Sequence, residues 1–223
     1  MTTVTATHGA SHDHRHDTSL EASFEFLNTL KLDSGSLVDV IPTYEEATGW
    51  LSANGFVQGD LGDLPEPGGP RAAEALEQIR RVRAALRDIA HAVADERPAD
   101  PASLAEVNRT IAARERIELV PAPDGVSVGH SHVGDPIDDA LARVADPIVD
   151  EIRAEHGHRF RICDNETCRW LFYDESRAGR RRWCSMSSCG NRAKAARHRA
   201  RLKALEIDFG GEEPGVGVGP GIA

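Results

Sequence analysis

The chain has 223 residues and a formal net charge of −10, with 40% hydrophobic and 28% charged residues. That length allows one or two domains with a real core, while no run nears the roughly 18–20 apolar residues that a membrane span needs. The first residues carry His, Asp and Thr where a secretory leader would be apolar, so a soluble, cytoplasmic, reducing setting is the expectation.

Residues 1–19 are polar and carry His8, His12, His14 and His16. Such a run can hold a metal loosely, but on composition it reads as a disordered, solvated tail. From Glu21 to Lys31 a helix is expected, with Phe24, Leu27 and Leu30 on one face and Phe26 beside it. A break follows at Asp33-Ser34-Gly35. Thr43 stands three residues before Glu46, a capping box that opens a helix to about Ala53, anchored by Trp50 and Leu51 and ended by Asn54-Gly55.

The Gly- and Pro-rich stretch from Gly59 to Pro70 reads as a surface loop. A long helix is expected from Arg71 to about Ala94, because Leu76, Ile79, Val82, Leu86, Ile89 and Val93 recur at threes and fours. Arg80, Arg81, Arg83 and Arg87 fall on or near its other side and read as a solvated face paired with Glu74, Glu77 and Asp88. Asp100-Pro101 starts a helix to about Arg114. Segments 117–120 and 126–130 flank a Pro-Ala-Pro-Asp-Gly turn and read as a β-hairpin. His130 and His132 share one face of its second strand, where the absence of a third ligand favours a structural role. Asp135-Pro136 caps a helix to about Glu155, with a bend expected at Pro147.

The richest chemistry lies between Arg159 and Lys203. All four cysteines sit there, Cys163 and Cys168, then Cys184 and Cys189, as C-x4-C, fifteen residues, C-x4-C. Two short-spaced pairs at that separation read as a structural zinc site, each pair a knuckle bringing two sulfurs to one ion. The plainer readings are two disulfides or four packed thiols. A reducing setting speaks against the first, and the crowding of every cysteine into 27 positions against the second. Zinc is expected over an iron–sulfur cluster because the ligands are paired and no cluster-type run appears. Between the knuckles, Arg169 to Asp174 alternates as a strand, with Phe172 and Trp183 assigned to a miniature core and Trp170 and Tyr173 left open.

Beyond Cys189-Gly190-Asn191-Arg192 a run of Ala, Arg and Lys to Lys203 forms a helix of about three turns with no wide apolar stripe. Residues 159–203 hold thirteen Lys or Arg and four Asp or Glu, while the rest of the chain holds thirteen and thirty-two. A basic module on an acidic body is the footprint of a polyanion binder. Arg180, Arg181, Arg182, Arg192, Lys194, Arg197, Arg199, Arg201 and Lys203 are the candidate nucleic-acid contacts. Residues 206–223 read as a flexible acidic tail.

The string Trp183-Cys184-Ser185-Met186-x-x-Cys189-Gly190-Asn191-Arg192-x-Lys194, with Cys163, Cys168, Phe172, Asp174 and Arg177 upstream, resembles the CGNR zinc-finger family. The preceding region is similar to the α-helical ABATE domain that accompanies such fingers, through Phe26-Leu27-Asn28-Thr29, Asp33, Trp50-Leu51 and Leu104-x-x-x-Asn108. The resemblance implies a bacterial transcriptional regulator of a stress-induced type whose finger binds nucleic acid. The expected architecture is therefore mainly α, a helical N-terminal domain with one small β-hairpin plus a small C-terminal four-cysteine zinc finger. Its expected divisions are 1–19 tail, 20–157 helical domain, 158–205 finger and 206–223 tail.

The expected cofactor is a structural Zn2+. The expected partner is duplex DNA, with homodimerisation through the helical domain as the remedy for a lone finger's weak specificity. An RNA-binding or protein-interaction module is the alternative. No nucleophile motif, phosphate loop or metalloprotease His-Glu spacing is present, so an enzyme is not expected.

Overall fold

The computed structural model describes residues 19–33, 35–57, 64–112, 116–123, 125–131 and 135–209. The N-terminal histidines and the C-terminal stretch from residue 210 lie outside the described residues, as do His132 and the side chain of His130. Helix α1 (Leu20–Asn28) starts at Ser19, whose Oγ accepts from the Ala22 amide at 3.0 Å. It ends three residues earlier than its apolar pattern suggests. The chain instead turns through Thr29 into a short antiparallel hairpin, β1 (Leu30–Asp33) and β2 (Ser36–Asp39), about Gly35 at φ +89°. This second hairpin of the body was not expected.

Helix α2 (Tyr44–Ala53) carries the complete Thr43–Glu46 capping box and closes at Gly55, φ +75°. Each cap group satisfies a backbone donor that the helix cannot. Helix α3 (Pro70–Ala94) is the spine of the body. Ile79, Val82, Leu86 and Ile89 bury one side of it against α1, α2 and α5. Helix α4 (Pro101–Ala112) leads to the hairpin β3 (Arg116–Ala122) and β4 (Gly125–Ser131), where Leu119 and Val126 are exposed. Helix α5 (Pro136–Arg153) has its own capping box at Asp135 and continues through Pro147. Ile137, Leu141, Val144 and Ile148 complete the core. Among the described residues no helix is long and apolar enough to cross a membrane.

The arginines of α3 do not form a solvated face. Arg83 is 2% exposed. Its guanidinium bonds Thr29 Oγ1 at 2.8 Å and pairs in a two-pronged fashion with Asp39, tying the β1–β2 hairpin to the spine. Arg87 donates to the Leu27 carbonyl at 2.7 Å. Arg80 and Arg81 do lie on an exposed face; Arg80 makes the expected pair with Glu77, while Arg81 pairs instead with Glu106 of α4. The buried pair was hidden because Asp39 lies 44 positions from Arg83, on a strand with no sequence signature.

The finger does not hang from the body on a linker. After a 3-10 turn (His156–Arg159), β5 (Phe160–Ile162) pairs antiparallel with β6 (Leu171–Tyr173), and Phe160 and Leu171 lie fully inside the body's core. Phe24 of α1 meets Phe160 edge-on at 5.1 Å. The Asn28 amide is the main polar clamp: it donates to the Leu171 carbonyl at 2.7 Å and accepts from the Leu171 amide at 3.0 Å, taking the place of a neighbouring strand. A π-helical turn (Met186–Gly190) and α6 (Asn191–Phe209) follow. Helix α6 runs six residues past Lys203, into what reads from sequence as tail.

Candidate metal centre

The four sulfurs of Cys163, Cys168, Cys184 and Cys189 lie within 4.8 Å of one another. Cys168 and Cys184 are 3.8 Å apart and Cys184 and Cys189 are 3.9 Å apart. A disulfide needs about 2.05 Å, so these are four separate thiols. Sulfurs at about 2.3 Å from a central zinc form a tetrahedron with edges of about 3.8 Å. The residues therefore fit zinc by number, chemistry and spacing. Four thiolates fill the tetrahedron and leave no open position for water or substrate, which makes such a site structural.

Each knuckle is built locally. Asn165 accepts from the Thr167 amide at 3.2 Å and its own carbonyl accepts from the Cys168 amide at 2.8 Å, turning the chain between the first two ligands. The Asn165 side chain also donates to Cys189 Sγ at 3.4 Å. Burial acts to raise the Cys189 pKa, yet the Asn165 amide and the neighbouring thiols outweigh it and hold the group below its ordinary value. Burial pushes the Cys168 and Cys184 thiols up, and the crowding of the other sulfurs pushes Cys184 further. On binding a cation, such crowded, desolvated thiols would release their protons to water and share the cation's charge as thiolates.

The string around the second knuckle has a physical reason at nearly every position. Ser185 caps the π-turn by accepting from the Ser188 amide. Gly190 lets Met186 and Trp183 close over the turn: a Cβ there would lie 2.5 Å from Met186 Sδ and 3.3 Å from Trp183, so the methionine tip would have to move aside. Asn191 donates to the Ser187 carbonyl at 3.1 Å, and Arg192 reaches Ser188 Oγ at 3.1 Å. Phe172 packs with Cys163 and Cys189, joined by the partly buried Trp170 and Trp183. Tyr173 belongs to the body instead, its hydroxyl donating to Glu151 at 2.5 Å. Asp174, fully buried, accepts from the Ser176 and Arg181 amides and closes the loop towards the second knuckle.

Of the nine candidate contacts, Arg181 and Arg182 belong to the finger's framework, Arg180 stands exposed just before them, and the other six lie on α6. Arg181 stacks over Phe172 at 5.0 Å and bonds the Cys184 carbonyl, while Arg182 pairs with Asp164 and lies over Trp183 at 5.2 Å. Both help to hold the finger together. Lys194, Arg197, Arg199, Arg201 and Lys203 are exposed on α6, and among the described residues no carboxylate pairs with them. At 100° per residue, Lys194, Arg197 and Arg201 form one stripe and Arg192, Arg199 and Lys203 the opposite one. The first stripe lines a groove with His198, and Arg192 and Arg199 face the first knuckle across Asn165, Glu166 and Trp183.

Four clustered cysteine sulfurs, two buried and two half-buried, beneath an exposed cationic helix and carried on a helical body define a zinc-finger protein. Residues 159–202 match the family model of the CGNR zinc finger, and residues 20–155 match ABATE, described as "Putative stress-induced transcription regulator". The chain belongs to the ABATE family, with a CGNR zinc finger at its C-terminal end. Neither description is that of an enzyme family. No curated protein matches the chain.

Proposed function

We propose that this chain is a cytoplasmic transcription regulator that binds duplex DNA through α6, with zinc serving as the structural centre that holds the helix in place. The observation that carries the reading is the bareness of α6. Its described side chains from Lys194 to Ala204 are all exposed, and no apolar face ties them to the protein. A helix of 19 residues spans about 28 Å and is about 10–12 Å wide with its side chains, which suits the B-DNA major groove of about 12 Å. Opposed cationic stripes would then face the phosphate rows on the two sides of that groove, while the acidic body discourages non-specific contact. Dimerisation through the body would supply the specificity that one finger lacks.

The direct test neutralises the stripe that points away from the finger. Lys194→Gln, Arg197→Gln and Arg201→Gln together should lower the slope of log K against log salt by about 2.7 for duplex DNA, because three phosphate contacts each contribute about 0.9. Zinc content and helicity should remain unchanged. An unaltered slope would remove this stripe of α6 from the interface and overturn the two-sided groove contact, and tighter binding to RNA than to DNA would favour the RNA alternative.

A further inference from the structure

The seam between body and finger contains a cavity of about 330 Å³ lined by five arginines and two aspartates. Asp95 comes from the end of α3, Arg161 from β5, Asp164 and Arg169 from the first knuckle, and Arg180, Arg181 and Arg182 from the approach to the second. Asp164 pairs with Arg182. Arg161 gives one nitrogen to the Gly179 carbonyl at 2.6 Å, while its Nε is buried without a hydrogen-bond partner. Arg169 and Arg180 are exposed and pair with no carboxylate among the described residues. Arg169 also holds a left-handed backbone, φ +51°. Glycine adopts that conformation at less cost, so a charged side chain stands there against local preference, as residues at binding sites often do.

From this convergence we infer that the seam cavity binds a phosphate-bearing ligand. Guanidinium groups approaching from several directions suit a phosphate, whose oxygens accept bidentate forks on more than one side, better than a carboxylate with two oxygens. The volume admits a diphosphate. The ligand would touch α3 and both knuckles together, so its binding would hold body and finger in one arrangement. This site is distinct from α6 and stands whether or not α6 binds DNA. The phosphate comes either from a nucleic-acid backbone or from a free phosphorylated molecule.

The test uses the zinc-loaded full chain and inorganic pyrophosphate, titrated calorimetrically at low salt. Saturable one-to-one binding is expected. Arg169→Gln with Arg180→Gln should weaken it at least tenfold, whereas Arg197→Gln with Arg201→Gln on α6 should change it less than twofold. None of these four side chains makes a hydrogen bond or ion pair among the described residues, and zinc content and circular dichroism confirm that each variant is folded. Absence of saturable binding to the wild type, or equal losses in the two double variants, would overturn the proposal. A competition with duplex DNA then separates the sources. Displacement of DNA by pyrophosphate, together with weaker DNA binding by the Arg169/Arg180 variant, identifies a backbone phosphate. Pyrophosphate binding that leaves DNA binding intact identifies a free phosphorylated ligand.

Discussion

At the scale of single residues, the candidate metal centre rests on four sulfurs brought close by the knuckle turns and by Phe172. Four thiols crowded at about 4 Å repel once ionised, and only a shared cation makes that arrangement favourable. Cys184→Ala should reduce bound zinc from one equivalent to almost none and release the π-turn and the base of α6. Phe160 and Leu171 should stay docked, because they belong to the body's core. Zinc retained at one equivalent would contradict the ligand assignment. Tyr173 offers a pH test. Burial and then its bond to Glu151 push its pKa up to about 12. The folded state thus favours the neutral phenol. Its stabilisation is full below the unfolded value of about 10 and is lost as pH rises through about 12. Unfolding free energy of the wild type should therefore fall more steeply between pH 10 and 12 than that of Tyr173→Phe, measured by urea denaturation.

At the scale of elements, α2 and α5 were legible from their caps and α3 from its apolar period. Thr43–Glu46 and Asp135-Pro136 open α2 and α5 where the sequence places them. The β1–β2 hairpin was not legible. Leu30-Lys31-Leu32-Asp33 does alternate, but over only four residues and with Leu27 and Leu30 also continuing the helical spacing of α1, while Ser36-Leu37-Val38-Asp39 does not alternate. The hairpin's importance comes from tertiary bonds. Burial alone would raise the Asp39 pKa, but the hydrogen bond and charge of Arg83 prevail and hold it below the usual carboxylate range. Removing the cation from this largely buried pair by Arg83→Met should cost about 3 kcal/mol in chemical denaturation. A loss below about 0.5 kcal/mol would show that the pair only decorates the helix.

The clustering of the four cysteines was legible, since C-x4-C spacing and the turn it imposes are local. The cavity arginines were only half legible. Arg180–Arg182 stand out as a run, but Arg161 and Arg169 join them only when β5 and the first knuckle fold back on α3. Asn165 could have been noticed as an amide between two ligands, a position suited to bonding sulfur.

At the scale of the whole molecule, the seam matters more than the boundary that the charge distribution suggests. The finger's hairpin is part of the body's core, and Asn28 holds it by its backbone. Body and knuckles thus share one packed and hydrogen-bonded seam, while α6 extends beyond both with its cations exposed. If α6 binds DNA as proposed, the body's negative charge limits the affinity, and salt should weaken the contacts of the exposed helix more than the bonds of the buried seam.

The measurement that tests the central claim most directly is a titration of the zinc-loaded chain with duplex DNA at two salt concentrations, repeated after chelation. The account predicts binding that weakens steeply as salt rises and vanishes when zinc is removed. Binding that survives chelation, or no binding at either salt concentration, would contradict it.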